Sequence, residues 1–136
     1  MKKILFLLSL FLILNSCSVD EGEKYHLDFL PIEEVDVPDS FQRGETYNIK
    51  VKYKRPTTCH VYNGIYYDRD LNIRTFAVQT VVYERNDCQN IVAPTLTEAA
   101  FNFQVQNSGS YTFKFWQGKD DNGEDVFYEV EIPVTD

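Results

Sequence analysis

The chain has 136 residues, with 13 basic against 21 acidic side chains and a formal net charge of −8. An acidic excess of this size repels phosphate backbones, so nucleic acid is excluded as a partner. Nine Tyr and ten Phe exclude a disordered chain, and the length holds one domain with a moderate core.

The first residues read as a processing signal. Lys2 and Lys3 precede an apolar run over residues 4–14 that only Ser9 interrupts. A spanning helix needs about 20 apolar residues, so this run is too short to be one. Leu14, Asn15, Ser16 and Cys17 follow, and they resemble the lipobox of bacterial lipoproteins, with Leu at −3 and a small residue at −1 before the Cys. The resemblance implies cleavage after residue 16, lipidation of Cys17 and a membrane partner reached through that lipid. Several acyl chains on one residue make a stable anchor. The next residues, Ser18, Val19, Asp20, Glu21, Gly22 and Glu23, resemble the acidic stretch of surface-exported lipoproteins of the Bacteroidetes type. Ser18 at +2 favours the outer membrane by the same analogy. Residues 17–30 are expected to be a tether, and residues 31–136 the folded domain.

Beyond Pro31 the pattern has period two, the mark of half-buried strands. Val35 and Val37 alternate with Glu34 and Asp36. Tyr47, Ile49, Val51 and Tyr53 alternate with polar residues that include Lys50 and Lys52. Residues 61–67 and 73–83 are strand-like but apolar on both faces, so they are expected to be central or covered. Residues 96–100 have room for one helical turn. Phe101, Phe103 and Val105 define a fifth strand, and Tyr111, Phe113 and Phe115 a sixth. Val126, Tyr128, Val130, Ile132 and Val134 form the inward set of a seventh. Asn122-Gly123 is the strongest hairpin signal and joins the last two strands. About seven strands punctuated by Gly, Asn and Pro predict an all-β, antiparallel immunoglobulin-like sandwich.

Charge supports these pairings. Lys114 is expected opposite Glu129 or Glu131, and Glu34 and Asp36 opposite Lys50 and Lys52, each pair adding a few tenths to about 1 kcal/mol. Gly109, Tyr111 and Phe113 resemble the Gly-x-Tyr-x-Phe entry to a late strand in immunoglobulin-like domains, where the Tyr bonds back across the corner. The lipobox, the Arg55–His60 stretch (Arg55, Pro56, Thr57, Thr58, Cys59, His60) and the segment 111–116 together resemble small flavobacterial-type lipoproteins. That resemblance carries no activity.

Three cysteines are present. With Cys17 taken by lipid, Cys59 and Cys88 are an even pair in an oxidising compartment, and a disulfide would close a loop of about 30 residues, worth about 3–4 kcal/mol. Free thiols or a metal pair are the alternatives, without a CxxC or clustered His to support them.

Candidate chemistry is sparse. The two histidines, His26 and His60, lack a Ser in a strained elbow, so no catalytic residue and no cofactor is assigned. The acidic run 120–125 lacks the spacing and bidentate Glu of a Ca²⁺ loop and reads as a hairpin tip. Pro56, Thr57 and Thr58 resemble the Pro-Thr-Thr-Gly loop of chagasin-type protease inhibitors, with Cys59 in place of the Gly. Trp116 and Phe127 fall on the outward parity of neighbouring strands and are expected to meet there. Tyr62 and Tyr66 share a parity and extend the same platform, unless a loop or the fourth strand covers it. The expected function is therefore a non-enzymatic, lipid-anchored binding module at the outer membrane or cell surface, with a glycan or envelope protein as partner. The alternatives are a protease inhibitor working through Thr57 and Thr58, or a structural envelope-assembly subunit.

Overall fold

Nine strands build the domain: β1 (Tyr25–Leu30), β2 (Ile32–Asp36), β3 (Phe41–Gln42), β4 (Thr46–Tyr53), β5 (His60–Asp70), β6 (Ile73–Tyr83), β7 (Thr97–Gln104), β8 (Ser110–Lys119) and β9 (Asp125–Thr135). The structure is a computed structural model that describes residues 22–136, so the expected leader, lipobox and Cys17 lie outside the described residues. All seven expected strands form. The two additions are the short β3 and β1, and β1 corrects the expected tether. Residues 25–30 are not a spacer but a strand paired antiparallel with Val78–Tyr83 of β6. Residues 97–100 likewise belong to β7 rather than to a helical turn.

The strands form an all-β sandwich of a six-stranded and a three-stranded sheet. The smaller has the order β2-β4-β7. In the larger, β6 pairs with β5 along one edge, while β8 and β1 share the other, and β9 and β3 continue beyond β8. The sheet is mixed rather than wholly antiparallel, because β6–β8 and β3–β9 are parallel. A parallel pair needs a long crossover. Here the chain leaves β6, passes through β7 in the opposite sheet and returns in β8.

Period-two alternation puts Ile49, Val51 and Tyr53 of β4 against Phe76 and Val78 of β6 and Tyr111, Phe113 and Phe115 of β8, all of them buried. Phe76 packs on Phe101 at 4.7 Å and Phe113 on Phe103 at 4.9 Å between ring centroids. Tyr111 closes the corner: its hydroxyl accepts from the backbone N–H of Asn107 (2.8 Å) and Gln106 (3.2 Å).

Three strands cannot cover six. Tyr67 of β5 and Tyr128 of β9 carry the inward parity, yet both remain about half exposed where the smaller sheet ends. Val126, expected inward, is exposed for the same reason. β5 is also an edge strand rather than a central one, with β6 as its one strand neighbour among the described residues.

The expected cross-strand charge pairs form on the outer faces. Lys114 faces Glu129 at 3.2 Å, Lys52 faces Glu34 at 2.7 Å, and Asp36 is in register with Lys50, which reaches Glu98 at 3.4 Å. At the tip of the β8–β9 hairpin, the Asp120 carboxylate accepts from the N–H groups of Asn122 and Glu124, and Gly123 holds a positive φ of 82° that a side chain would oppose.

Candidate functional site

Part of the outer face of the larger sheet is apolar where an ordinary sandwich face is polar. Strand register decides which side chains meet there. Trp116 of β8 and Phe127 of β9 are direct cross-strand partners, as their parity predicts. On the other side, Tyr66 is in register with Ala77 of β6, and Phe29 with Gln79. Phe29 and Tyr66 meet edge to face with centroids 5.2 Å apart.

Between the two aromatic pairs lies a hollow of ≈ 390 Å³, with the small side chains Thr75 and Ala77 as its floor. Trp116 and Phe127 form one wall, and Phe29 and Tyr66 the other. The size lies at the lower end of small-ligand sites, and aromatic walls over a small-residue floor leave room for a flat ring between them. The apolar face continues past the hollow through the row Leu27–Val81–Val61 to the pair Tyr25–Tyr83, whose centroids are 6.2 Å apart.

Two charge pairs flank the hollow. Lys119 Nζ lies 2.8 Å from Asp125 Oδ1, and the same oxygen accepts from Trp116 Nε1 at 3.0 Å. These bonds, that from Lys119 first, hold the Asp125 carboxyl below its ordinary range and raise the Lys119 ammonium above its own. Lys114 sits 4.6 Å above the Phe127 ring while it pairs with Glu129. The Trp116 ring is thus fixed by a charge-assisted bond.

Tyr62 does not join this platform, which corrects the expected grouping with Tyr66. A β-bulge shifts the β5–β6 register between Tyr62 and Gly64, and Gly64 takes a φ of +120° that L side chains rarely adopt. One extra residue reverses the parity of everything before it. Tyr62 therefore turns to the inner side and stacks on Tyr53, with centroids 6.1 Å apart. Burial raises the hydroxyl pKa of both tyrosines.

Thr57 and Thr58 occupy a loop tied to the segment that carries Cys88. Cys59 and Cys88 are joined, with Cα atoms 5.5 Å apart, so neither a free thiol nor a metal pair is available from them. Thr58 donates its N–H to Gln89 O (2.9 Å), while its hydroxyl accepts from Gln89 N (3.0 Å). The Thr57 hydroxyl accepts from Cys59 N (3.2 Å) and lies 2.7 Å from Nδ1 of His60, whose Nε2 is 3.7 Å from Asp28 Oδ2. Hydroxyl, imidazole and carboxylate stand in series, but the series is incomplete for acyl transfer. Thr57 Oγ1 is held as a turn acceptor, and Asp28 is beyond hydrogen-bonding distance. His60 is buried, and that burial is the first cause that lowers its pKa.

Sequence reasoning missed Phe29, because the acidic stretch before it drew residues 25–30 into the tether. The signal was present: Tyr25, Leu27 and Phe29 alternate with His26 and Asp28. Comparison with protein-family models, with curated proteins and with solved structures finds no match for this chain.

Proposed function

We propose that this chain is a lipid-anchored, non-enzymatic binding module of the cell envelope whose ligand seats in the hollow between Trp116/Phe127 and Phe29/Tyr66. The observation that carries this reading is the hollow itself, four aromatic side chains around a floor of Thr75 and Ala77 on a face exposed to solvent. Aromatic rings offer large apolar area with little ordering cost, the usual source of binding energy at a small interface. A neutral glycan is the ligand class this favours. The two charged side chains that line the hollow, Lys119 and Asp125, pair with each other, and the net charge of −8 disfavours polyanions. The lipobox resemblance supports a position at the outer membrane or cell surface.

The inhibitor reading has less support, because both threonine hydroxyls that would enter a protease cleft are engaged within the domain. Affinity electrophoresis through gels that contain neutral polysaccharides tests the proposal. The wild-type chain is expected to be retarded by at least one neutral polymer, with retardation lost in Trp116→Ala and kept in Val92→Ala, a change at an exposed site in the 84–96 loop. Equal migration of wild type and Trp116→Ala in every gel refutes the site. Protease shaving of intact cells tests the location: loss of the blotted signal is expected, and full protection would place the domain in the periplasm.

A further inference from the structure

The open side of the sandwich carries a second, independent feature. β7 is the last strand of the smaller sheet, and among the described residues its outer edge pairs with no other strand. β7 lies over β6 and β8, through the Phe101–Phe76 and Phe103–Phe113 contacts, so the Ile65–Tyr67 stretch of β5 extends beyond it, and Tyr67 stays half exposed. The result is a slot of ≈ 340 Å³, with the inner side chains of β5 (Ile65 and Tyr67) as floor, Phe76 and Phe101 behind, and the β7 edge as wall. Asn102, Phe103, Gln104 and Gln106 complete the lining, and among the described residues no charged side chain enters it.

We propose that this slot accepts one extended peptide strand from a partner protein. The strand would pair through its backbone with β7 and set alternate, uncharged side chains on Ile65 and Tyr67. Each part follows from strand geometry. An edge of eight residues presents unpaired N–H and C=O groups on a fixed spacing, and a strand added there projects every second side chain into the sandwich. The uncharged lining matches uncharged inward positions, because a charge placed there would be desolvated without a counter-ion. The geometry also rejects a second copy of this chain. A copy that paired through its own β7, apolar face inward, would carry its β6 and β5 into the space that β5 and β6 already fill. The occupant is thus a strand with no sheet beneath it, a tail or linker rather than the edge of a folded sandwich.

A displayed library of random decapeptides, selected on the full chain in detergent, provides the probe. Enriched peptides are expected to carry apolar residues at alternate positions and to slow hydrogen exchange of the β7 amides. Tyr67→Glu is expected to weaken them by about tenfold or more, a loss near 1.4 kcal/mol. Copies of the same peptides N-methylated at alternate residues keep their side chains but lose backbone donors, and they are expected not to bind. No enrichment, protection along the outer edge of β5 or around Trp116 instead of β7, or unchanged binding after N-methylation would each overturn the proposal. The N-methylated copies are tested on the unaltered chain, so that result stands even if Tyr67→Glu fails to fold.

Discussion

Tyr111→Phe removes one oxygen from a fully buried ring and leaves the ring in place. That oxygen accepts two backbone N–H groups, from Asn107 at 2.8 Å and Gln106 at 3.2 Å, and these bonds fix the chain as it turns into β8. A hydrogen bond contributes about 0.5–1.5 kcal/mol net, and a donor left unpaired in a dry site costs about 1–3 kcal/mol. Both donors belong to residues that are exposed overall, so water relieves part of the loss. The expected destabilisation is about 2 kcal/mol, a fall in Tm of roughly 5–10 °C for a domain of this size. Urea unfolding followed by tyrosine fluorescence and far-UV circular dichroism measures it, with an unchanged m-value expected. A shift below about 0.5 kcal/mol, the lower bound for a single bond, would refute the corner's role. A loss of cooperativity would show that the hydroxyl orders more of the fold than two amides.

Other perturbations test separate parts of the structure. Replacement of both Cys59 and Cys88 by Ala is expected to cost about 3–4 kcal/mol by release of the loop they close, and alkylation with mass analysis should find these thiols only after reduction. Leu71 holds a φ of 52° in the β5–β6 turn with its side chain almost fully exposed, so Leu71→Asn is expected to raise stability by about 0.5–1 kcal/mol in thermal melts. His60 is held below its ordinary value of 6.5, by burial first, with Asp28 in opposition. The fold therefore favours the neutral imidazole. Its contribution is complete above pH 6.5 and declines as pH falls below that value, levelling under the folded pKa. A His60→Gln variant whose stability keeps the same slope between pH 7 and pH 5 would contradict this assignment.

Much of this architecture was legible in the sequence because its signals are local. Alternation in β4, β8 and β9 identifies inward side chains, opposite charges select the register of Lys114 with Glu129, and Asn122-Gly123 marks the last hairpin. Trp116 and Phe127 could be brought together from parity and that hairpin alone. What escaped depends on long-range pairing. Tyr62 and Tyr66 are four residues apart and share a face in any regular strand, and only the bulge at Gly64 separates them. Phe29 reaches the site because β1 takes the half of the β6 edge that β8 leaves free, an arrangement that no local pattern encodes. The exposure of Tyr67 and Tyr128 reflects the unequal width of the two sheets, which depends on which strands share a sheet.

Trp116 is the one tryptophan in the chain, so its fluorescence reports the hollow without a label. Titration of the wild-type chain with a panel of neutral oligosaccharides tests the central claim most directly. A saturable shift in emission, with the same midpoint as binding measured by calorimetry, is the expected result. Calorimetric binding with an unchanged Trp116 spectrum would move the site elsewhere, and no binding across the panel would contradict a neutral glycan as the ligand.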